Sequence, residues 1–270
     1  MNNVTSHHVL PLNTKASTYL TAANCQEANV AFVSCYLSDL LIKPGIALLQ
    51  QLGELATYLG FKSGVILNAS LPALNANGLY VLRSPYDGTT HAYPLMDVWR
   101  IILHLQPEMV ILPQGLLAHE PRLLQDLPDT VLPFVPINEI ELVRSSRAYG
   151  IYVALLGNVE FVQDVPYYVA GDLSLSQICS LAKLSVDYIE SDLAVRTACL
   201  GNVFVAQGTI SLLDSNMASE ALPIDVNCSC PTCLAPFTRA YLAHLFVHTP
   251  LLCIRLLIQH NLYYMSEVAI

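Results

Sequence analysis

The chain has 270 residues, 54% of them hydrophobic and only 12% charged, with 12 Lys and Arg against 21 Asp and Glu for a formal net charge of −9. Such a balance supplies a well-buried core and excludes a disordered chain. It also opposes non-specific attraction to nucleic acid, whose phosphates are read by Lys and Arg.

The N-terminus, MNNVTSHHVLPLNTK, has no basic start followed by an apolar run, so no signal peptide is expected and the cytoplasm is the default compartment. Short β-branched or apolar runs then recur along the chain: HVLPLN, VAFVSCYL, GVILNAS, EMVILPQ, TVLPFVPI, YGIYVALLG, PYYVAG and VDYIESDLA. Between several of them lie helical patterns, GIALLQQLGELATYLG (45–60), LMDVWRIILHLQ (95–106) and SLSQICSLAKLS (174–185), with apolar residues three and four apart. Continuous apolar strands alternating with helices predict a parallel sheet covered by helices. Eight such runs predict an α/β fold of the closed (β/α)8 TIM-barrel type, whose usual length is about 250 residues. Two strand pairs read as insertions: NGLYVLRSPYDGTTHAYPL, turning at Asp87-Gly88, and NVFVAQGTISLL, turning near Gln207-Gly208. Near the C-terminus, YLAHLFVHTPLLCIRLLIQ carries two His, a Pro and an Arg, which predicts a buried helix pair and no membrane span.

In a barrel of this kind the chemistry sits at the C-terminal ends of the strands. The positions singled out are Asn68, Gln114, Pro136 with Asn138, Gly157 with Asn158, and Glu190 to Asp192.

Three of the eight cysteines fall within CSCPTC (228–233), giving C-x-C-x-x-C. In a reducing compartment such a cluster reads as metal ligands or free thiols more readily than as disulfides. Tetrahedral zinc needs a fourth ligand. His260, on a helical segment after Pro250, is the first candidate, with His244 and His248 as alternatives. A closed Cys3His site has no open position for water and is structural.

CSCPTC, followed by FTRAYLAHLF (237–246) and LLIQHNLYY (256–264), resembles the C-terminal zinc segment of the tRNA-guanine transglycosylases, also called queuine tRNA-ribosyltransferases. The family pattern is C-x-C-x-x-C, then Ser-Arg-Ala-Tyr-Leu-x-His-Leu, then the ligand His of His-Asn-Leu; this chain has one more residue between the last Cys and that His. Upstream, VAQGTISLL (205–213), VDYIESDLAVRTA (186–198) and LLIKPGIALLQQLGELATYLGF (40–61) are similar to the family's Gln-Gly-Thr-Ile-Asn hairpin, its Val-Asp-Met-Phe-Asp strand and its Arg-Pro-Gly helix region. The resemblance implies one barrel over 1–270 with an inserted zinc-binding subdomain at about 200–270, Zn2+ on Cys228, Cys230, Cys233 and His260, and tRNA base modification of the queuosine type.

Family members exchange a guanine in tRNA for a modified base, using an aspartate nucleophile, a second aspartate as general acid/base, and an aspartate, a glutamine and a glycine pair around the base. In this chain the nucleophile falls on Glu190 when Val186-Asp187 and Arg196 stay in register. Glu is one methylene longer, and displacing the attacking oxygen by about 1 Å can cost on the order of a hundredfold in rate. Asp192, two residues on, is a substitute. The general acid/base falls on Asn68, which can neither take nor give that proton. The base-binding aspartate falls on Gln114, the glutamine near Pro136, and the glycine pair on Tyr152 and Val153, where bulk fills the purine slot. The Asp-Ser-Gly-Gly-Phe signature is absent, residues 68–72 reading Asn-Ala-Ser-Leu-Pro.

With those positions changed and the metal motif kept, the expected function is that of a non-catalytic homologue: an accessory subunit, homodimeric or paired with an active transglycosylase, with the apolar 241–258 segment as the interface and the partner supplying most of the phosphate contacts. One alternative is an active base-exchange transferase or glycosidase with a rewired pocket built on Glu190 or Asp192. Another is a zinc-stabilised barrel for an unrelated small molecule. A carboxylate pair facing an open cavity would favour the rewired enzyme; a plug of Tyr152, Leu71 and neighbours would favour the non-catalytic homologue. In a purely structural reading Glu190 is a satisfied strand-end acid with Arg196 as its partner.

Overall fold

The computed structural model describes residues 6–12, 19–62, 64–143, 147–154, 161, 164–184 and 186–268. Twelve strands run in chain order: β1 (His7–Pro11), β2 (Phe32–Tyr36), β3 (Val65–Asn68), β4 (Leu79–Arg83), β5 (Thr90–Pro94), β6 (Met109–Ile111), β7 (Leu132–Pro136), β8 (Gly150–Val153), β9 (Tyr167–Ala170), β10 (Tyr188–Glu190), β11 (Asn202–Val205) and β12 (Gly208–Ser211). Eight of them form a closed barrel in the order β1-β10-β9-β8-β7-β6-β3-β2. Neighbouring pairs from β2 round to β10 are parallel. These eight strands are the eight apolar runs read from the sequence, and the chain is a (β/α)8 barrel. The two expected insertions are the antiparallel hairpins β4–β5 and β11–β12.

The chain divides into two compact units, one of Phe32–Gly171 with Val186–Glu190, the other of Met1–Ala31, Asp172–Ser185 and Ser191–Ile270. In the first, period-two alternation along the strands sends one set of side chains together as an aromatic core. Phe32 meets Tyr188 edge-on at 5.2 Å, Phe134 meets Tyr168 at 5.4 Å and Tyr188 at 5.6 Å, and Tyr168 stacks on Tyr188 at 6.1 Å. Gly150, opposite Phe134 in the β7–β8 register, leaves the space that the Phe134 ring fills. The helix Leu95–Leu105 buries Val98, Trp99, Ile101, Ile102 and Leu105 on one face, as its apolar spacing predicts.

The helical pattern over 45–60 is realised as two short helices, Ile46–Leu49 and Leu55–Leu59, with residues 50–54 non-helical between them. Gly53 lies in that break, where a helix interior would carry a penalty of about 1 kcal/mol, and Gly60 closes the second helix in the left-handed conformation (φ 76°).

In the second unit the helix Pro250–Val268 packs against the helix Leu193–Cys199, the helix Arg239–His248 and strand β11. Pro250 starts its helix, where a missing N–H costs nothing, and Thr249 separates it from Arg239–His248. The expected burial of this pair holds for one face only. Leu242, Leu245, Cys253, Ile254, Leu257 and Ile258 are buried, whereas Val247, Leu251 and Leu252 are exposed because no segment among the described residues of this unit covers them. Gln259 donates to Glu27 (2.9 Å) and Arg255 to the Tyr19 carbonyl (2.9 Å), which ties the N-terminal segment to this helix. Among the described residues no helix is long and apolar enough to cross a membrane.

A Cβ on Gly150 would sit 2.9 Å from the Pro166 carbonyl and inside the Phe134 ring's contact distance. Gly150→Ala is therefore expected to destabilise the barrel by about 2 kcal/mol or more, read as a fall of several degrees in Tm; an unchanged Tm would contradict this packing.

Candidate functional site

Two clusters of polar side chains are built into the chain. The first lies among the strands of the barrel unit. Glu190, the last residue of β10, is 3% exposed. Its Oε2 accepts from the Tyr168 hydroxyl at 2.5 Å and its Oε1 from the Tyr36 hydroxyl. Tyr36 ends β2 and Tyr168 lies in β9, so residues 154 and 22 positions away converge on one carboxylate. Burial raises the Tyr168 phenol well above its ordinary pKa, and the Glu190 charge pushes it further. Both effects keep it a donor. The Tyr168 hydroxyl also neighbours Ser34. Cys35 is pushed up to about 12 by burial and then by Glu190, so it is an inert thiol.

Asn68, at the end of β3, is 1% exposed, and its Oδ1 accepts from the Ser70 amide (3.1 Å) and the Ser70 hydroxyl (2.5 Å). Tyr152, opposite Pro136 and Tyr168 in register, is buried; burial raises its phenol, whose hydroxyl lies against Ser70 and Asn68. Leu71 is buried beside them in sequence. Asn68 and Tyr152 thus lie beside the Glu190 cluster, with the Tyr152 and Tyr168 rings 5.9 Å apart, and the buried Asn68 Nδ2 and Ser34 Oγ have no hydrogen-bond partner among the described residues.

The remaining strand-end positions separate. Gln114 is exposed and Pro136 is buried, while Asn138 is exposed. Gly157 and Asn158 lie outside the described residues. Asp192 precedes the helix Leu193–Cys199 and pairs with Arg196 at 2.6 Å; Arg196 also reaches Asp172 at 2.5 Å. The partner expected for Arg196 was Glu190. The guanidinium is instead spent on two aspartates of its own unit, since Asp192 sits one helical turn before it.

Sequence reasoning missed Tyr36, Tyr168 and Glu139. Glu139 is 5% exposed, with Oε1 accepting from the Gly115 amide at 2.5 Å and a charge that raises the buried Tyr80 phenol after burial itself. Its only sequence signal is an acid three residues past the β7 run. The tyrosines carried the ordinary signature of barrel-interior residues, period two within an apolar strand.

The second cluster is local in sequence. Cys230 caps the short helix Pro231–Leu234, which Pro231 begins. The Cys230 amide points at Cys228 Sγ (3.5 Å) and the Cys233 amide at Cys230 Sγ (3.3 Å). His260, fully buried on Pro250–Val268, brings Nδ1 to 3.7, 3.4 and 3.3 Å from the sulfurs of Cys228, Cys230 and Cys233. The four ligand atoms all lie within 4.8 Å of one another. A tetrahedral zinc with Zn–S of about 2.3 Å and Zn–N of about 2.0–2.1 Å places S and N about 3.6 Å apart, so the set fits a zinc site. The Nε2 of His260 lies 2.7 Å from the Phe204 carbonyl. A carbonyl only accepts, so the proton is on Nε2 and the Nδ1 lone pair faces the sulfurs. Thr232 donates to the Leu256 carbonyl at 2.8 Å and locks the cysteine turn to the same helix. Hydrogen bonds from Cys230 and Cys233 hold the Cys228 thiol well below its ordinary pKa.

A closed parallel barrel whose chain also carries a partly buried Cys3His cluster defines the class: a (β/α)8 protein with a C-terminal metal-type centre. Residues 152–269 match the family described as queuine tRNA-ribosyltransferase. Over 106 residues it is 36% identical to a queuine tRNA-ribosyltransferase of Clostridium perfringens, 38% to one of Clostridium acetobutylicum and 34% to one of Clostridium botulinum. Each match covers 39% of this chain and spans 28% of the relative's length.

Replacing Glu190 with Ala would remove the carboxylate that accepts from the Tyr36 and Tyr168 hydroxyls. The expected cost is about 2–4 kcal/mol, measured by urea denaturation, with Glu190→Gln losing less. A change under about 0.5 kcal/mol for Glu190→Ala would mean that these hydroxyls find other partners.

Proposed function

We propose that this chain is a non-catalytic relative of the tRNA-guanine transglycosylases, an accessory component of queuosine-type tRNA base modification in the cytoplasm. The observation that carries the reading is the state of Glu190. A nucleophile or general base needs a lone pair aimed at substrate. Here each carboxylate oxygen accepts a tyrosine hydroxyl inside a buried cluster. The neighbouring positions support it: Asn68 has its carbonyl oxygen committed to Ser70, Tyr152 and Leu71 are buried, and Asp192 is paired with Arg196. A net charge of −9 fits a subunit whose partner supplies most phosphate contacts. The partner would be an active transglycosylase or a second copy of the chain.

Zn2+ is the metal proposed for Cys228, Cys230, Cys233 and His260. Four ligands leave no open coordination position, so its role is to hold the C-terminal region together.

Two measurements test these readings. Incubated alone with labelled guanine and a tRNA transcript, the purified chain is expected to incorporate no label above background; incorporation at an ordinary enzymatic rate would overturn the non-catalytic assignment. The Cys230→Ser variant is expected to lose stoichiometric zinc and to melt at least several degrees lower, and full metal content with unchanged melting would overturn the metal assignment.

A further inference from the structure

We propose that His244 and His248 form a second, separate metal site: an exposed bis-imidazole chelate for a borderline divalent cation such as Cu2+, Ni2+ or Zn2+. The two residues are four apart on the helix Arg239–His248 and therefore share one face. The same spacing carries the two zinc-binding histidines of the helical H-E-x-x-H motif. Their rings are already side by side, with centroids 4.2 Å apart and planes tilted by 39°. Both are exposed, so closing a chelate requires only rotation about side-chain bonds that no packing restrains.

The electrostatic setting favours a cation. His248 ends the helix, where the macrodipole is negative. The basic residues of 201–270 are both committed elsewhere. Arg239, on the opposite end of the helix, donates to the Pro223 and Ile224 carbonyls at 3.0 and 2.8 Å, and Arg255 donates to the Tyr19 carbonyl at 2.9 Å. The site is also chemically distinct from the cysteine cluster, which already has its four ligands in Cys228, Cys230, Cys233 and His260. Two imidazoles leave the remaining positions to water, which makes this site weaker and exchangeable where the Cys3His set is closed. Metal binding requires neutral imidazoles and so weakens on acidification. Nitrogen ligands and the Irving–Williams order make Cu2+ the tightest binder and the best probe.

The test uses the full chain with zinc already at the cysteine cluster, titrated with Cu2+ and followed by electron paramagnetic resonance and calorimetry. The expected result is one further Cu2+ per chain with hyperfine coupling from two imidazole nitrogens. His244→Ala and His248→Ala should each weaken that event at least about tenfold, a loss of about 1.4 kcal/mol, while zinc content stays unchanged. No additional copper, or copper bound equally well by both variants, would overturn the proposal. Loss of zinc during the titration would overturn it as well, because the copper would then be in the cysteine cluster.

Discussion

The backbone N–H and C=O of Phe204 are both held by consecutive residues of one helix. Its carbonyl accepts from His260 Nε2, and its amide donates to Asn261 Oδ1 at 2.9 Å. The Asn261 amide nitrogen then donates to the Ala194 and Asn202 carbonyls at 3.1 and 3.2 Å. All of these groups are buried or nearly so, and each would be costly if left unpaired. Together they fix the helix Pro250–Val268 against β11 and the helix Leu193–Cys199. They also select the His260 tautomer that presents Nδ1 to three sulfurs. The order of the hairpin, the helix pair and the metal-type centre in this unit therefore follows from one backbone peptide, in the manner of an outer-shell partner that orients a metal ligand.

The barrel unit uses its polar groups differently. A substrate pocket keeps donors and acceptors unpaired until a ligand arrives, at some expense in stability. Around Glu190 both carboxylate oxygens are matched to phenol hydroxyls, while the buried Asn68 Nδ2 and Ser34 Oγ have no hydrogen-bond partner among the described residues. The Tyr168 phenol, raised by burial, remains protonated and donates to the carboxylate, and its ring packs against those of Phe134 and Tyr188. The two tyrosine hydroxyls that converge on Glu190 make its carboxylate part of the packed interior.

Much of the fold was legible because it rests on periodicity. Eight apolar runs became eight barrel strands, and the Asp87-Gly88 turn fell inside the β4–β5 connection. The Cys3His set was legible because three ligands are contiguous and the fourth carries a family-like flank. Tyr36 and Tyr168 were not, since a strand residue gives its inward direction but not which distant strand it faces; only barrel closure brings position 36 to position 190. The break at 50–54 turned on a single glycine within an otherwise helical pattern. The partner of Arg196 was misread because both candidate acids lie within six residues, and the helix that starts after Asp192 decided in favour of the i,i+4 pair. The exposed face of the C-terminal helices was hidden by a composition that is apolar on all sides.

The central physical claim is that three cysteines of one turn and a histidine oriented by Phe204 hold one closed tetrahedral metal. Zinc K-edge X-ray absorption on the chain as purified examines it directly. The account predicts three sulfur scatterers at about 2.3 Å and one nitrogen at about 2.0–2.1 Å, with no oxygen in the shell. Absence of zinc, or a shell completed by water oxygen, would contradict it.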